Sequence, residues 1–285
     1  MGGGVCSCAR AFFLFERGNC RVTDWLYEAG ACHAKVFVGE PAYYDKQVQF
    51  FDQDARYKQG IKFYKKRFEH CLDEGQSSII FDATPNTIEF PQRVFDVYSQ
   101  ASMDAKSRLK VIFVLREPVE REFLRYKMKA NDYNQSNDKK NGWFTDAVSK
   151  DGSLMSFEQY SSSVLRLYIK DKAKSYTTGL YAMLLKEWAK LFDRGQLLIL
   201  NYDEIRDSPH RAQWRIQKFI GTDFALNLAE KDDAISTEGI SETAIKVLEP
   251  LFRKSNEELY DFLSHNSTGP WMEQSPFPHF TQKAL

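Results

Sequence analysis

The residues whose pattern most plainly suggests chemistry are Arg116, Arg121 and Arg125, which follow the apolar run 111–115. Pro118 stands two positions after Arg116, and proline suits the first turn of a helix because its missing N–H is not needed there. A strand ending at Arg116 and a helix opening at Pro118 would set a guanidinium beside unpaired helix N–H groups. The helix dipole favours negative charge at the same place. Such a junction binds phosphate-like anions. The same residues also fit an ordinary strand-to-helix turn with a surface arginine, and their types alone do not separate the two.

A turn of this kind needs a sheet to carry it. Short apolar runs bounded by turn residues alternate with amphipathic stretches, which predicts βαβ units and a largely parallel sheet. Segments 11–16, 35–38, 78–82, 110–116 and 196–201 read as strands, and their continuous apolar character fits a sheet covered on both faces. Segments 57–71, 91–100, 118–130, 179–192, 209–220 and 242–264 read as helices. Tyr181, Leu184, Leu185, Trp188 and Phe192 recur at helical spacing and predict a core-facing stripe. The polar stretch 131–142 is expected to be an exposed loop. With no repeat and no dividing linker, the expectation is one domain over 9–285 behind a flexible 1–8.

Composition narrows the function. The 285 residues are 43% hydrophobic and 14% aromatic, enough for a sizeable core. Lys plus Arg and Asp plus Glu both number 39, so no chain-wide basic field points to nucleic acid. Cys6, Cys8, Cys20, Cys32 and Cys71 lack metal-ligand spacing and read as reduced thiols. His33, His70, His210, His265 and His279 fall outside any triad or metal pattern. Asp203-Glu204 reads as the approach to a helix rather than a metal pair. No run reaches the roughly 20 apolar residues of a membrane span, and 11–15 is too short for a secretory signal core. The start Met1-Gly-Gly-Gly-Val-Cys6 has cysteine where an acylation signal prefers Ser or Thr. Sequons at Asn134 and Asn266 matter only in a secretory setting. The sequence as given predicts a cytoplasmic protein, or one of the Golgi lumen were further sequence to precede it.

Leu115-Arg-Glu-Pro-Val-Glu-Arg121, continued by Phe123-Leu-Arg-Tyr126, resembles the 3′-phosphate-binding motif of carbohydrate and heparan-type sulfotransferases, Leu-Arg-Asp-Pro-Val-x-Arg-x-x-Ser-x-Tyr. Other landmarks of that family follow in order. Lys46-Gln-Val-Gln-Phe-Phe-Asp52 and Tyr57-Lys-Gln-Gly-Ile-Lys-Phe-Tyr64 are similar to Lys-Glu-x-His-Phe-Phe-Asp and Tyr-x-x-Gly-x-x-Trp-Tyr. Phe81-Asp-Ala-Thr-Pro85 resembles the strand end Glu/Asp-x-Ser/Thr-Pro. The stretches from Gly179 to Pro209, 216–221 and 256–271 follow the family's C-terminal core.

The resemblance implies a P-loop-like α/β sandwich of three layers with helices flanking a mainly parallel sheet. It implies transfer of a sulfuryl group from 3′-phosphoadenosine 5′-phosphosulfate (PAPS) to a hydroxyl or amine of a carbohydrate or small acceptor, without a metal. It assigns Arg116 to the donor 3′-phosphate, with Arg17, Gly18, Arg121 and Tyr181 binding donor or shaping its cleft. Departures are also plain. The family's Lys-x-Gly-Thr-Thr loop aligns with Glu16-Arg-Gly-Asn-Cys-Arg21, where only Gly18 survives. Leu124 replaces a phosphate-binding serine, and 225–241 has Lys231 as its one cation in place of a Lys-Gly-Arg loop. One register puts Gln47 where the family has its catalytic glutamate, and glutamine is no proton acceptor near neutral pH. A second register keeps a carboxylate at Glu40. These losses leave room for a degenerate member that binds without turnover. A nucleotide kinase is disfavoured because no Gly-x-x-x-x-Gly-Lys-Ser/Thr occurs.

Overall fold

A computed structural model describes residues 10–15, 36–38, 48–67, 79–82, 84–101, 103–171, 179–221, 239–265 and 277–280. Five strands, β1 (Arg10–Phe15), β2 (Val36–Val38), β3 (Ile79–Asp82), β4 (Leu109–Leu115) and β5 (Leu197–Asn201), form one sheet in the order β2-β3-β1-β4-β5. Every pairing is parallel. Five of these strands match the expected segments to within a residue or two at each end. The mainly parallel sheet of the sequence reading is, among the described strands, wholly parallel.

The order has a functional consequence. The chain leaves β1 toward β2 on one side, while it leaves β4 toward β5 on the other. Adjacent strands whose connections diverge open a crevice at their carboxyl ends, where α/β proteins place ligands. Phe15 lies beside Val114 in register, and Leu115 beside Asn201. The crevice therefore begins at the residue after Leu115, which is Arg116.

Strand β4 is buried along its length except at Lys110, and β5 is buried throughout. Alternation divides their side chains between two layers. Val111, Phe113 and Leu115 join one apolar cluster with α3 (Pro91–Ala101) and α7 (Tyr181–Leu191). There Trp188 is fully buried, packs edge-on against Phe113 with centroids 5.4 Å apart, and donates its Nε1–H to the Ile88 carbonyl at 2.9 Å. Lys110 points to the other face, where its ammonium lies 4.9 Å from the Phe219 ring of α9 (Pro209–Ile220). Helices on both faces make the three layers.

Three other features depart from the sequence reading. The helix after β4, α5 (Pro118–Gln135), runs well into the stretch expected to be a loop. Its last turn is held by Gln135 donating to Asn131 and by the Tyr133 hydroxyl donating to the Gly152 carbonyl at 2.7 Å. The helices α4 (Met103–Arg108) and α6 (Phe157–Asp171) were not anticipated. Of the expected helix 57–71, Tyr57 instead ends a short α1 (Asp54–Tyr57), a separate α2 (Gly60–Lys66) opens at Gly60 with φ 73°, a left-handed conformation that suits glycine, and 68–71 lie outside the described residues. The long α10 (Glu242–His265) packs against α5, α6 and α7, behind the crevice.

Candidate active site

Arg116 follows β4 and is held from three directions. Its Nε faces the Glu120 carboxylate at 3.3 Å, one helical turn along α5. Its guanidinium carbon sits 3.9 Å from the ring centroid of Tyr202, the first residue of α8 (Tyr202–Asp207) after β5. The Tyr181 hydroxyl donates to the Arg116 carbonyl at 2.8 Å. Its side chain stays 14% exposed, and among the described residues no acceptor takes its two terminal nitrogens. Held at Nε and beneath its plane, the guanidinium keeps the forked pair of terminal nitrogens that can grip a phosphate or sulfonate.

Glu117 caps α5. Its carboxylate accepts the Glu120 N–H at 2.7 Å, and at 6% exposure its burial pushes its pKa up to about 7. The hydrogen bond from Glu120 opposes that rise, and the charges of Glu120 and Asp203 add to it. Glu117 also borders a cavity of about 370 Å³ formed with α10 and the segment 277–280. Phe252, Tyr260, Asn256, His279 and Phe280 face the same space. Tyr260 and His279 stack with centroids 3.9 Å apart and planes 6° from parallel, and the Phe280 N–H donates to the Tyr260 hydroxyl. On α8, Arg206 pairs with Asp203 at 2.7 Å and Asp207 at 2.6 Å.

Further along α5 the charges turn inward. Arg121 is 4% exposed and its guanidinium donates to Glu122 at 2.6 Å, with Arg125 near the same carboxylate. Lys129 is fully buried against Asp146, and burial draws its ammonium down to about 8. Leu124 is 1% exposed, so the position that aligns with a phosphate-binding serine is part of the apolar packing here.

A second polar group lies at the end of β3. The Asp82 carboxylate accepts from the Thr84 hydroxyl at 2.7 Å, the Thr84 N–H at 3.1 Å and the Tyr64 hydroxyl at 3.2 Å. Burial pushes it up to about 6 despite those donors. Thr84 in turn accepts the N–H of Gln49 at 2.9 Å. Gln49 has φ 52°, a conformation that non-glycine residues rarely hold without support. The support comes from Arg56, whose Nη1 donates to the Val48 carbonyl at 2.9 Å and to the Gln49 amide oxygen at 3.2 Å.

Of the residues expected to act, Arg116 and Tyr181 meet at the carboxyl end of β4. Arg121 lies on α5, after the turn, but engages Glu122 in the interior. Arg17, Gly18, Glu40 and Gln47 lie outside the described residues. The sequence motifs included Glu117, Glu120, Asp82, Thr84 and Tyr64 without giving them a role, and Tyr202 was not singled out. The spacing of Glu120 four residues after Arg116 was a usable signal, and so was Asp82 two residues before Thr84, a pattern for local side-chain capping. Tyr202 left none, because it reaches Arg116 only once β5 lies beside β4.

Comparison with known proteins gives a consistent result. The family model for the sulfotransferase domain matches residues 31–284. Heparan sulfate glucosamine 3-O-sulfotransferase 5 from Mus musculus is 24% identical over 178 residues, which cover 61% of this chain and 44% of that protein. The Homo sapiens counterpart is 23% identical over the same shares. The chain thus spans less than half the length of these curated relatives. Among solved structures, a sulfotransferase from Alicyclobacillus acidocaldarius superposes with a TM-score of 0.56 at 19% identity, covering 88% of this chain and 94% of the other.

Proposed function

The chain belongs to the sulfotransferase domain family, and on that premise we propose that it transfers a sulfuryl group from PAPS to a hydroxyl or amine of a carbohydrate or small hydroxylated acceptor. The observation that carries the reading is the Arg116 guanidinium, held by Glu120 and Tyr202 at the point where the β1 and β4 connections diverge, with no acceptor for its terminal nitrogens among the described residues. A donor phosphate there would meet two parallel N–H donors of a guanidinium already oriented by Glu120 and Tyr202. In the transfer, the bond between sulfur and the donor's phosphate oxygen breaks as a bond from sulfur to the acceptor oxygen or nitrogen forms. The acceptor proton passes to a base, and the nucleotide leaves as adenosine 3′,5′-bisphosphate. Glu40 is the carboxylate available by one alignment, and the segment around Gln47 by the other. A sugar acceptor is supported by the activity named for the mouse and human relatives.

A second reading, a family member that binds donor without turnover, is favoured by Leu124, whose buried aliphatic side chain cannot hydrogen-bond a phosphate. Transfer of labelled sulfate from PAPS to candidate sugars separates the two. Turnover supports the enzyme, whereas nucleotide binding without turnover supports the degenerate binder. In the same assay Glu40→Gln abolishes turnover if Glu40 takes the proton; full activity in that variant moves the base to the segment around Gln47.

A further inference from the structure

We propose that Glu120 is an internal competitor for the donor's phosphate, which lowers nucleotide affinity at Arg116 and thereby speeds release of the spent nucleotide. The inference rests on the reading of Arg116 as the donor anchor. Its basis is geometric. Glu120 comes from the first turn of α5, its side chain is 9% exposed, and its carboxylate lies 3.3 Å from the Arg116 Nε. It therefore neutralises much of the charge that Arg116 brings to this end of β4. A phosphate dianion gripping the terminal nitrogens would sit a few ångströms from that carboxylate and be repelled by it. The nearby cation Arg206 is engaged by Asp203 and Asp207, so it offers the phosphate little uncompensated charge.

A device of this kind has a use. A transferase that grips its nucleotide product too well is limited by release rather than by chemistry. An anion built into the site competes equally with donor and product, because both carry the same 3′-phosphate. It therefore costs donor affinity and returns turnover.

The test replaces the charge while keeping the shape. Glu120→Gln retains an oxygen for the Nε hydrogen bond. It should tighten adenosine 3′,5′-bisphosphate binding by roughly tenfold at low salt, the size of one screened like-charge contact between the aqueous and near-surface limits. The gain should shrink in 0.5 M salt, roughly as the screening length falls to a few ångströms. In turnover, KM for PAPS and kcat should fall together, a split that loss of a merely structural contact would not give. If Glu120→Gln fails to fold, Glu120→Asn removes the charge while keeping an amide oxygen on the Arg116 side of the turn, and it gives the same readout. Unchanged or weaker nucleotide binding in a folded variant, with wild type binding normally, overturns the inference and leaves the donor reading intact. Absence of nucleotide binding in both wild type and variant removes the donor reading, and the inference with it.

Discussion

Tyr181→Phe isolates one atom of the site. The hydroxyl donates to the Arg116 carbonyl at 2.8 Å, and the rest of the ring is fully buried in the apolar cluster. The substitution keeps that packing and removes the donor. A protein hydrogen bond contributes about 1 kcal/mol net, and a buried acceptor left without a donor costs more, about 1–3 kcal/mol. Arg116 is partly open to solvent, so water can take over some of the lost bond, and the lower figure applies. The expected loss is about 1 kcal/mol of stability, or about 2–4 °C in Tm for a chain of this size. The carbonyl belongs to the residue whose guanidinium faces the crevice, so loosening it should also weaken adenosine 3′,5′-bisphosphate binding by roughly three- to tenfold, on the order of 1 kcal/mol. Calorimetry beside a thermal melt reads both. A variant with wild-type Tm and wild-type affinity would refute the claim that this contact fixes the strand-to-helix turn.

Two further outcomes follow from buried charge. Glu117 has a folded pKa raised to about 7, so between about pH 4.5 and 7 the unfolded chain loses its proton while the folded one keeps it. Stability should therefore fall as pH rises through that window, by on the order of 3 kcal/mol, and Glu117→Gln should flatten the fall in denaturant titrations. A slope left unchanged in that variant would place the titration elsewhere. At the far end of α5, Asp146→Ala strands the fully buried Lys129 ammonium, whereas Lys129→Met leaves behind a carboxylate that is 22% exposed. The first should cost about 3–5 kcal/mol and the second clearly less; equal losses in urea melts would argue against a charge-burial origin.

The sheet was readable because parallel strands buried on both faces are continuous apolar runs, and 109–115 and 197–201 are such runs. Helix α9 was readable from Pro209 at its start and Gly221, at φ 80°, just past its end. Helix α6 was hidden by three consecutive serines, residues that ordinarily favour turns. Here Ser161 and Ser162 return their hydroxyls to the Phe157 and Glu158 carbonyls four residues back, which leaves the helix intact. The last turn of α5 was hidden by a polar composition typical of loops, and it persists through contacts with the 145–155 region, which lies distant in sequence. The anchor Arg116 was legible from the strand-to-helix motif and its proline. Its companions were only half so: Glu120 by local spacing, Tyr202 not at all, because pairing of β5 with β4 creates that contact. Arg121 shows the limit of motif reading, since it lies on the face of α5 that packs into the interior, where it engages Glu122.

The most direct test of the account is calorimetric titration of wild type and Arg116→Ala with adenosine 3′,5′-bisphosphate. Wild type should bind near the micromolar range, and the variant should lose at least tenfold, since removing a charge-assisted fork to a phosphate costs roughly 1.5–3 kcal/mol. Equal affinity in the two proteins, or no binding by wild type at millimolar nucleotide, would contradict it.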